Sequence, residues 1–324
     1  MGIRALFHSM GITIVGVAAM ASLAHAYNFD FDGAPGKHPL GSIGFYSSGC
    51  LDSDARIEGT EAGLLKLMNE RDRRYGNPMM IELLTGLGAA YHHEWQQNGA
   101  PARPYERIQL GDIAQKGGGQ VSKHASHQTG LDADVVYLRK DFRETKQNRG
   151  FEAGFDETFV HGKKVSANLD EVRQWWVWRF LYRSGKMNRI FVDGNIKAYF
   201  CKQAARLEPD DKAEREEVLR MLRPYPEHAD HFHMRLACPA ADAKCVGQAP
   251  LPPGSGCSDR ELQHDPGEME GRRAVSQSIL DDEMDPFELL AEPQDDDHAS
   301  PAGGVVHRDG SHTLPRECRQ GKPR

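Results

Sequence analysis

Hydrophobic and polar positions along this chain follow two different periods. In residues 107–113 and 231–237 they alternate one by one, the period of a strand with one covered face. Residues 131–138 place Asp132 and Asp134 on one face and then run into Val135, Val136, Tyr137 and Leu138, which predicts another strand. Arg189, Ile190, Phe191 and Val192 read as a short buried strand. Elsewhere the helical period dominates. Residues 60–73 are expected to form a helix capped by Thr60, with Leu64, Leu65, Leu67 and Met68 on its apolar side. A second helix starts at Asn77-Pro78, a cap followed by proline at the first helical position, and runs to about residue 97, weakened by Gly86 and Gly88. Residues 168–183 give the clearest helix, opened by Asn168 with Glu171 three residues on and closed near Gly185. Val172, Trp176 and Phe180 are expected to face its core, with Trp175 and Trp178 widening the buried face. Helices over 196–206 and 211–222 follow, the second stopped by Pro224 and Pro226. The fold class expected is α+β, a central antiparallel sheet flanked by helices.

The ends depart from this pattern. Residues 1–26 have the form of a secretory leader: Arg4, an apolar or small stretch from Gly11 to Leu23, and the small-x-small site Ala24-His25-Ala26. No later stretch approaches the ~20 apolar residues of a spanning helix. Residues 27–50 are rich in Gly, Pro and Ser. Residues 258–324 read as a tail, and 281–297 within it hold nine acids, no base and two prolines, too polar to offset the cost of ordering. The folded body is thus expected over 27–257. Export implies an oxidising compartment, which suits the even set Cys50, Cys201, Cys238, Cys245, Cys257 and Cys318. Six cysteines allow fifteen pairings. Cys238 and Cys245 are near enough to close a small loop, and Cys318 suggests that the tail is pinned back. The net charge is −7, and losing Arg4 with the leader makes it more negative. That argues against a nucleic-acid partner, whose phosphates are met by Lys and Arg.

Two clusters carry chemistry. His124, His127, Asp132 and Asp134 lie within eleven residues, and His228, Asp230, His231 and His233 lie about a hundred residues later. Strand alternation puts Asp132 and Asp134 on one face, and His231, His233 and Arg235 on one face of the other strand. If the strands are neighbours, a row of His and Asp lines one cleft, the ligand types that zinc accepts. The other histidines of the chain read as ordinary surface or core residues. Gly117-Gly118-Gly119 is a flexible loop rather than a phosphate cradle, because no Gly-Lys-Ser/Thr ending follows. No His-Glu-x-x-His helix and no Gly-x-Ser-x-Gly elbow is present.

His127, then Asp134, with His231-Phe232-His233 downstream, resembles the ligand pattern of the lysostaphin, D-Ala-D-Ala carboxypeptidase and hedgehog superfamily. The run from Lys123 to Asp134 and the run His233-Met234-Arg235-Leu236-Ala237-Cys238-Pro239 are similar to the penicillin-insensitive murein endopeptidases within it. The likeness extends through 189–192, Arg223-Pro224, His228 and 250–253, over roughly residues 40–260. It implies a periplasmic zinc peptidase acting on the peptide cross-bridges of peptidoglycan. By the same resemblance the zinc ligands are His127, Asp134 and His233, the catalytic base is His231, and His228 is a further active-site histidine. The implied disulfides are Cys50–Cys318, Cys201–Cys257 and Cys238–Cys245, the first closing a loop long enough to contribute roughly 2–4 kcal/mol. Relatives hold a second metal through a histidine matching His124 and an Asp-Gly-Lys-His stretch. Here that stretch reads His161-Gly162-Lys163-Lys164. His161 keeps an imidazole, but the Lys164 ammonium cannot donate a lone pair. One zinc is therefore expected. Asp132 is expected to support the ligands by hydrogen bonding, and Arg235 to hold either a substrate carboxylate or a structural ion pair. His228 is expected to stabilise the oxyanion. Two rivals share these residues: a D-Ala-D-Ala dipeptidase or carboxypeptidase, and a wall-binding protein that keeps zinc without catalysis.

Overall fold

A computed structural model describes residues 41–97, 106–146, 150–258, 262 and 314–319. The expected leader and the acidic run 281–297 lie outside them. In chain order the strands are β1 (Ser42–Phe45), β2 (Ser48–Leu51), β3 (Leu64–Lys66), β4 (Ile108–Leu110), β5 (Asp132–Val136), β6 (Val160–His161), β7 (Lys164–Val165), β8 (Met187–Val192), β9 (Leu222–Pro224) and β10 (His231–Leu236). The helices are α1 (Pro78–Tyr91), which continues as a π-helical turn over His92–Gln97, then α2 (Glu171–Arg183), α3 (Gly194–Leu207), α4 (Lys212–Met221) and the short α5 (Arg316–Arg319).

Six strands make the central sheet, in the order β3-β4-β5-β10-β8-β9. The expected antiparallel pairing holds through its middle, β4 with β5, β5 with β10 and β10 with β8. Its two outer pairings, β3 with β4 and β8 with β9, are parallel, so the whole sheet is mixed. One face of β10 is apolar. Phe232, Met234 and Leu236 are buried there. Trp178 of α2 lies 4.6 Å from the Phe200 ring of α3 and 6.0 Å from Phe232. Each such fully buried aromatic side chain contributes roughly 1.5–3 kcal/mol by leaving water. The other face of β10 carries His231, His233 and Arg235. Helices cover the first face, which leaves the second for chemistry.

Three local expectations are corrected. Residues 60–73 form no helix but β3 and one 3-10 turn, Asn69–Arg71. A short apolar run reads equally as a helix or a strand buried on both sides. Here Leu64, Leu65 and Lys66 are all buried and pair with β4, while left-handed Gly63, Met68 and Asp72 interrupt any helical path. Gly88, expected only to weaken α1, is what lets β3 approach: a Cβ there would meet the Leu64 side chain at 2.5 Å. In α2 the cap is Asp170, whose side chain accepts from Arg173 N, whereas Asn168 bonds Asp141 and Glu157. The buried face of α2 is Gln174, Trp175, Val177, Trp178 and Leu181, and Val172 is 50% exposed. Trp176 and Phe180 stack on each other at the rim instead, at 5.8 Å. Spacing of exactly four drifts around a helix of 3.6 residues per turn, so aromatic bulk pointed to the wrong stripe.

Disulfides join Cys50 to Cys318, Cys201 to Cys257 and Cys238 to Cys245, the pairing that the resemblance implied. The first holds residues 314–319 against β1 and β2, helped by the Lys244–Glu317 ion pair at 2.7 Å. Among the described residues no helix is long and apolar enough to cross a membrane.

Candidate metal centre

The pairing of β5 with β10 builds the centre. Its register sets His233 opposite Asp134 and Arg235 opposite Asp132, so two acids and two basic side chains share one face. His127 enters from the turn before β5 with a left-handed backbone, φ 68°. A non-glycine residue there costs of order 1–3 kcal/mol unless its surroundings hold it. Two bonds do so: its N–H donates to Asp132 Oδ2 at 3.1 Å, and its ring Nδ1 lies 2.6 Å from Ile113 O.

Each histidine of the cluster is held by one ring nitrogen, which assigns its tautomer. A carbonyl only accepts, so His127 Nδ1 carries the proton and Nε2 is bare. His233 Nε2 faces Asp132 Oδ1 at 2.7 Å, leaving Nδ1 bare. His231 Nδ1 faces Asp230 Oδ1 at 2.6 Å, leaving Nε2 bare. His228 Nδ1 faces Pro226 O at 2.6 Å, and His124 Nε2 faces Asp112 Oδ2 at 3.0 Å. An oxygen behind the ring that fixes which nitrogen points forward is the usual support of a metal-binding histidine.

The bare nitrogens converge on one carboxylate. Asp134 Oδ1 is 3.3 Å from His127 Nε2, 3.3 Å from His233 Nδ1 and 3.6 Å from His231 Nε2. His124 Nδ1 approaches the other oxygen, Oδ2, at 3.8 Å. His127 Nε2 and Asp134 Oδ1 are buried with no hydrogen-bond partner. Facing lone pairs repel unless a cation lies between them. An ion with bonds of about 2.0–2.1 Å in a tetrahedron sets its ligands about 3.3 Å apart, and Asp134 stands at that distance from both His127 and His233. The donor set therefore fits a metal ion. His124, His127 and Asp134 also offer ligand atoms all within 4.8 Å of one another, so His124 lies beside the same centre rather than apart from it. His161 is exposed on the β6–β7 hairpin, opposite Lys164.

The acids around the rings favour positive charge at this point. Burial opposes the Asp134 charge, but His127 and His231 hold its carboxyl well below the usual range. Asp132 is likewise held low, against its burial, by Arg235 and His233. Burial would push His231 down, yet Asp134 and Asp230 raise it. His228 is lowered to about 3 by burial and by the neighbouring His231 and His233, so it stays neutral. Arg235 takes the structural role: it is buried, bonds Asp132 and Gln248, and lies over the Tyr46 and Phe191 rings.

Two members of the arrangement carried no role in the sequence reading, Asp230 behind His231 and Asp112 behind His124. Asp230 is the immediate neighbour of His231, and strand alternation assigns neighbours to opposite faces. His231 opens the strand, and the bend before it lets Asp230 turn back. Asp112 follows β4 and is reached by His124 only through the folding of the glycine loop.

A sheet-borne His/Asp cluster able to hold a cation, with a further histidine nitrogen beside it, has the donors that a metal-dependent hydrolytic centre uses. The comparison with known proteins gives the particular kind: the chain belongs to the penicillin-insensitive murein endopeptidase family, whose sequence profile matches residues 42–320. A penicillin-insensitive murein endopeptidase of Haemophilus influenzae is 31% identical over 218 residues, 67% of this chain and 70% of that protein. One of Yersinia pestis is 31% identical over 225 residues, covering 68% and 76%, and one of Klebsiella pneumoniae is 29% identical over 232 residues, covering 70% and 78%.

Proposed function

We propose that this protein is a periplasmic zinc endopeptidase that hydrolyses peptide cross-links of peptidoglycan, at D-Ala to diaminopimelate bonds. The observation that carries the reading is the convergence of bare His127 and His233 nitrogens on an unpartnered Asp134 oxygen. Family membership and the printed name of the relatives point to the substrate.

His127 Nε2, Asp134 Oδ1 and His233 Nδ1 would hold the zinc, which when bound supplies Lewis-acid polarisation of the scissile carbonyl and a more acidic water. His231 is the general base. Its Nδ1 proton is anchored on Asp230, and its bare Nε2 faces the ligand cluster, so it takes the proton of the attacking water and returns it to the leaving amine. An oxyanion role for His228 requires a proton on Nε2, but its one proton is given to Pro226 O and the ring is neutral. We assign it instead to accept a hydrogen bond from a substrate N–H. Asp132 orients His233 and the His127 backbone together.

Digestion of purified cross-linked muropeptides, read by mass, tests the whole. Dimers are expected to give monomers, and a chelator to stop the reaction. Release of terminal D-Ala with dimers left intact would establish the carboxypeptidase reading instead. His231→Ala is expected to keep its zinc and lose about 10²–10⁴-fold in kcat.

A further inference from the structure

On the footing of the base role assigned to His231, we propose that Phe155 is a positioning residue for it, delivered by a short strap across the sheet. Two rings pack on the His231 ring: Phe155, with centroids 4.8 Å apart and planes tilted by 41°, and His228, at 4.9 Å and 37°. The hydrogen bond to Asp230 anchors Nδ1, the atom next to the ring's point of attachment, and leaves the far Nε2 edge to be steadied by packing. Phe155 supplies part of that packing.

Phe155 is itself placed with little slack. It packs against the buried cluster of Leu65, Leu67 and Val136, beside Met68. It also fills the space over Gly111: a Cβ there would come within 2.7 Å of Phe155 Cζ and 3.1 Å of Asp134 Cβ. The missing side chain at Gly111 therefore admits the Phe155 ring to the corner between Asp134 and His231.

The strap, residues 150–156, is tied down by cations from the turns beside the metal centre. Arg71 donates from Nε to Phe151 O at 2.8 Å and from Nη2 to Ala153 O at 2.7 Å, while its Nη1 reaches Asp112 Oδ2 at 2.9 Å. Lys123 donates to Glu152 O at 3.1 Å and pairs with the Glu152 carboxylate. The Arg71 and Arg73 guanidiniums lie 5.8 and 5.7 Å from the Phe151 ring. One guanidinium thus links the carboxylate behind His124 to the strap that carries Phe155. The two histidines approach different oxygens of Asp134, and Arg71 ties their supports into one frame.

A general base displaced by about 1 Å can lose about 10²-fold in rate. Phe155→Ala is expected to lower kcat by about 10–100-fold on cross-linked muropeptides, with KM changed less than about threefold and bound zinc unchanged. Phe155→Leu, which refills most of the contact, restores most of kcat. Val218→Ala opens the buried face of α4, away from Phe155 and the cluster it packs on, and is expected to lower the melting temperature while sparing kcat. Two outcomes overturn the assignment: an unchanged kcat in Phe155→Ala, or equal losses in Phe155→Ala and Val218→Ala. Turnover retained in His231→Ala removes the base assignment itself, a result distinct from both.

Discussion

Two clusters of buried charge lie in this protein, and they differ in how completely their atoms are partnered. Around Glu106 each charge has an opposite charge within about 3 Å, although Arg139 Nε makes no hydrogen bond. Glu106 accepts from the Arg139 N–H, from Arg173 Nη2 at 3.0 Å and from Gln109 at 3.1 Å. Arg173 also bonds Asp170, the Tyr91 hydroxyl and Arg139 O. Arg139 pairs with Asp156 at 2.8 Å and Glu157 at 3.0 Å. Around Asp134 the donors point outward, to Asp132, Ile113 O and Asp230, and the inward His127 Nε2 and Asp134 Oδ1 have no hydrogen-bond partner. Burying a charge without a partner is expensive, so a fold keeps such a cluster only where something outside the chain completes it. Pairing marks Glu106 as architecture, and its lack marks Asp134 as a site.

The contrast can be broken at either end. Asp134→Ala is expected to have the largest effect: zinc content near zero by elemental analysis and kcat/KM down at least about 10³-fold, about 4 kcal/mol of barrier. Because the apo cluster is already incomplete, its melting temperature without metal should hold or rise. Arg173→Ala should do the reverse. Removing the buried guanidinium shared by Glu106, Asp170 and Tyr91 is expected to cost about 3–5 kcal/mol in urea unfolding, with zinc content per folded molecule unchanged.

Lys66 lies between these cases and sharpens the comparison. It is buried beside Asp112, and its ammonium has Leu67 O, at 2.6 Å, as acceptor. Burial lowers its pKa to about 8, against the pull of Asp112. A lysine whose folded pKa lies below its unfolded value of 10.5 carries a penalty below the folded pKa that fades as pH rises to the unfolded one. Lys66→Met is therefore expected to stabilise the protein by up to about 3 kcal/mol at pH 7, with the gain shrinking toward zero by about pH 10.5. Urea titrations at the two pH values measure it. An equal gain at both would mean that packing, not charge, is the cause.

Legibility from sequence followed the reach of each interaction. The His/Asp row was readable because strand alternation is a local rule, and His127, Asp134 and His233 needed only that β5 and β10 be neighbours. The cap at Asn77 was readable for the same reason, and its side chain does accept from Met79 N at 2.9 Å. The α2 face was not, since which of two overlapping stripes is buried depends on where Phe200 and Phe232 stand. Nor was β3, because Leu64 and Leu65 suit a helix until β4 supplies a hydrogen-bonding edge. Asp112 and Phe155 carry no local signature, since each acts on a ring brought to it by folding, and Asp230 was hidden because alternation assigns it to the face opposite its neighbour His231.

By itself, then, the sequence determined the residue types of a cation site, the strands that carry them and the family to which they belong, since these depend on periodicity and on spacing within short runs. Tertiary structure decided which nitrogen of each histidine faces inward, which acids stand behind the rings, and which aromatic ring leans on His231. For His127, His124 and His233 these are set by contacts with other segments that only the packed fold brings together, and for His231 and His228 by the local bend that turns Asp230 and Pro226 back to the rings.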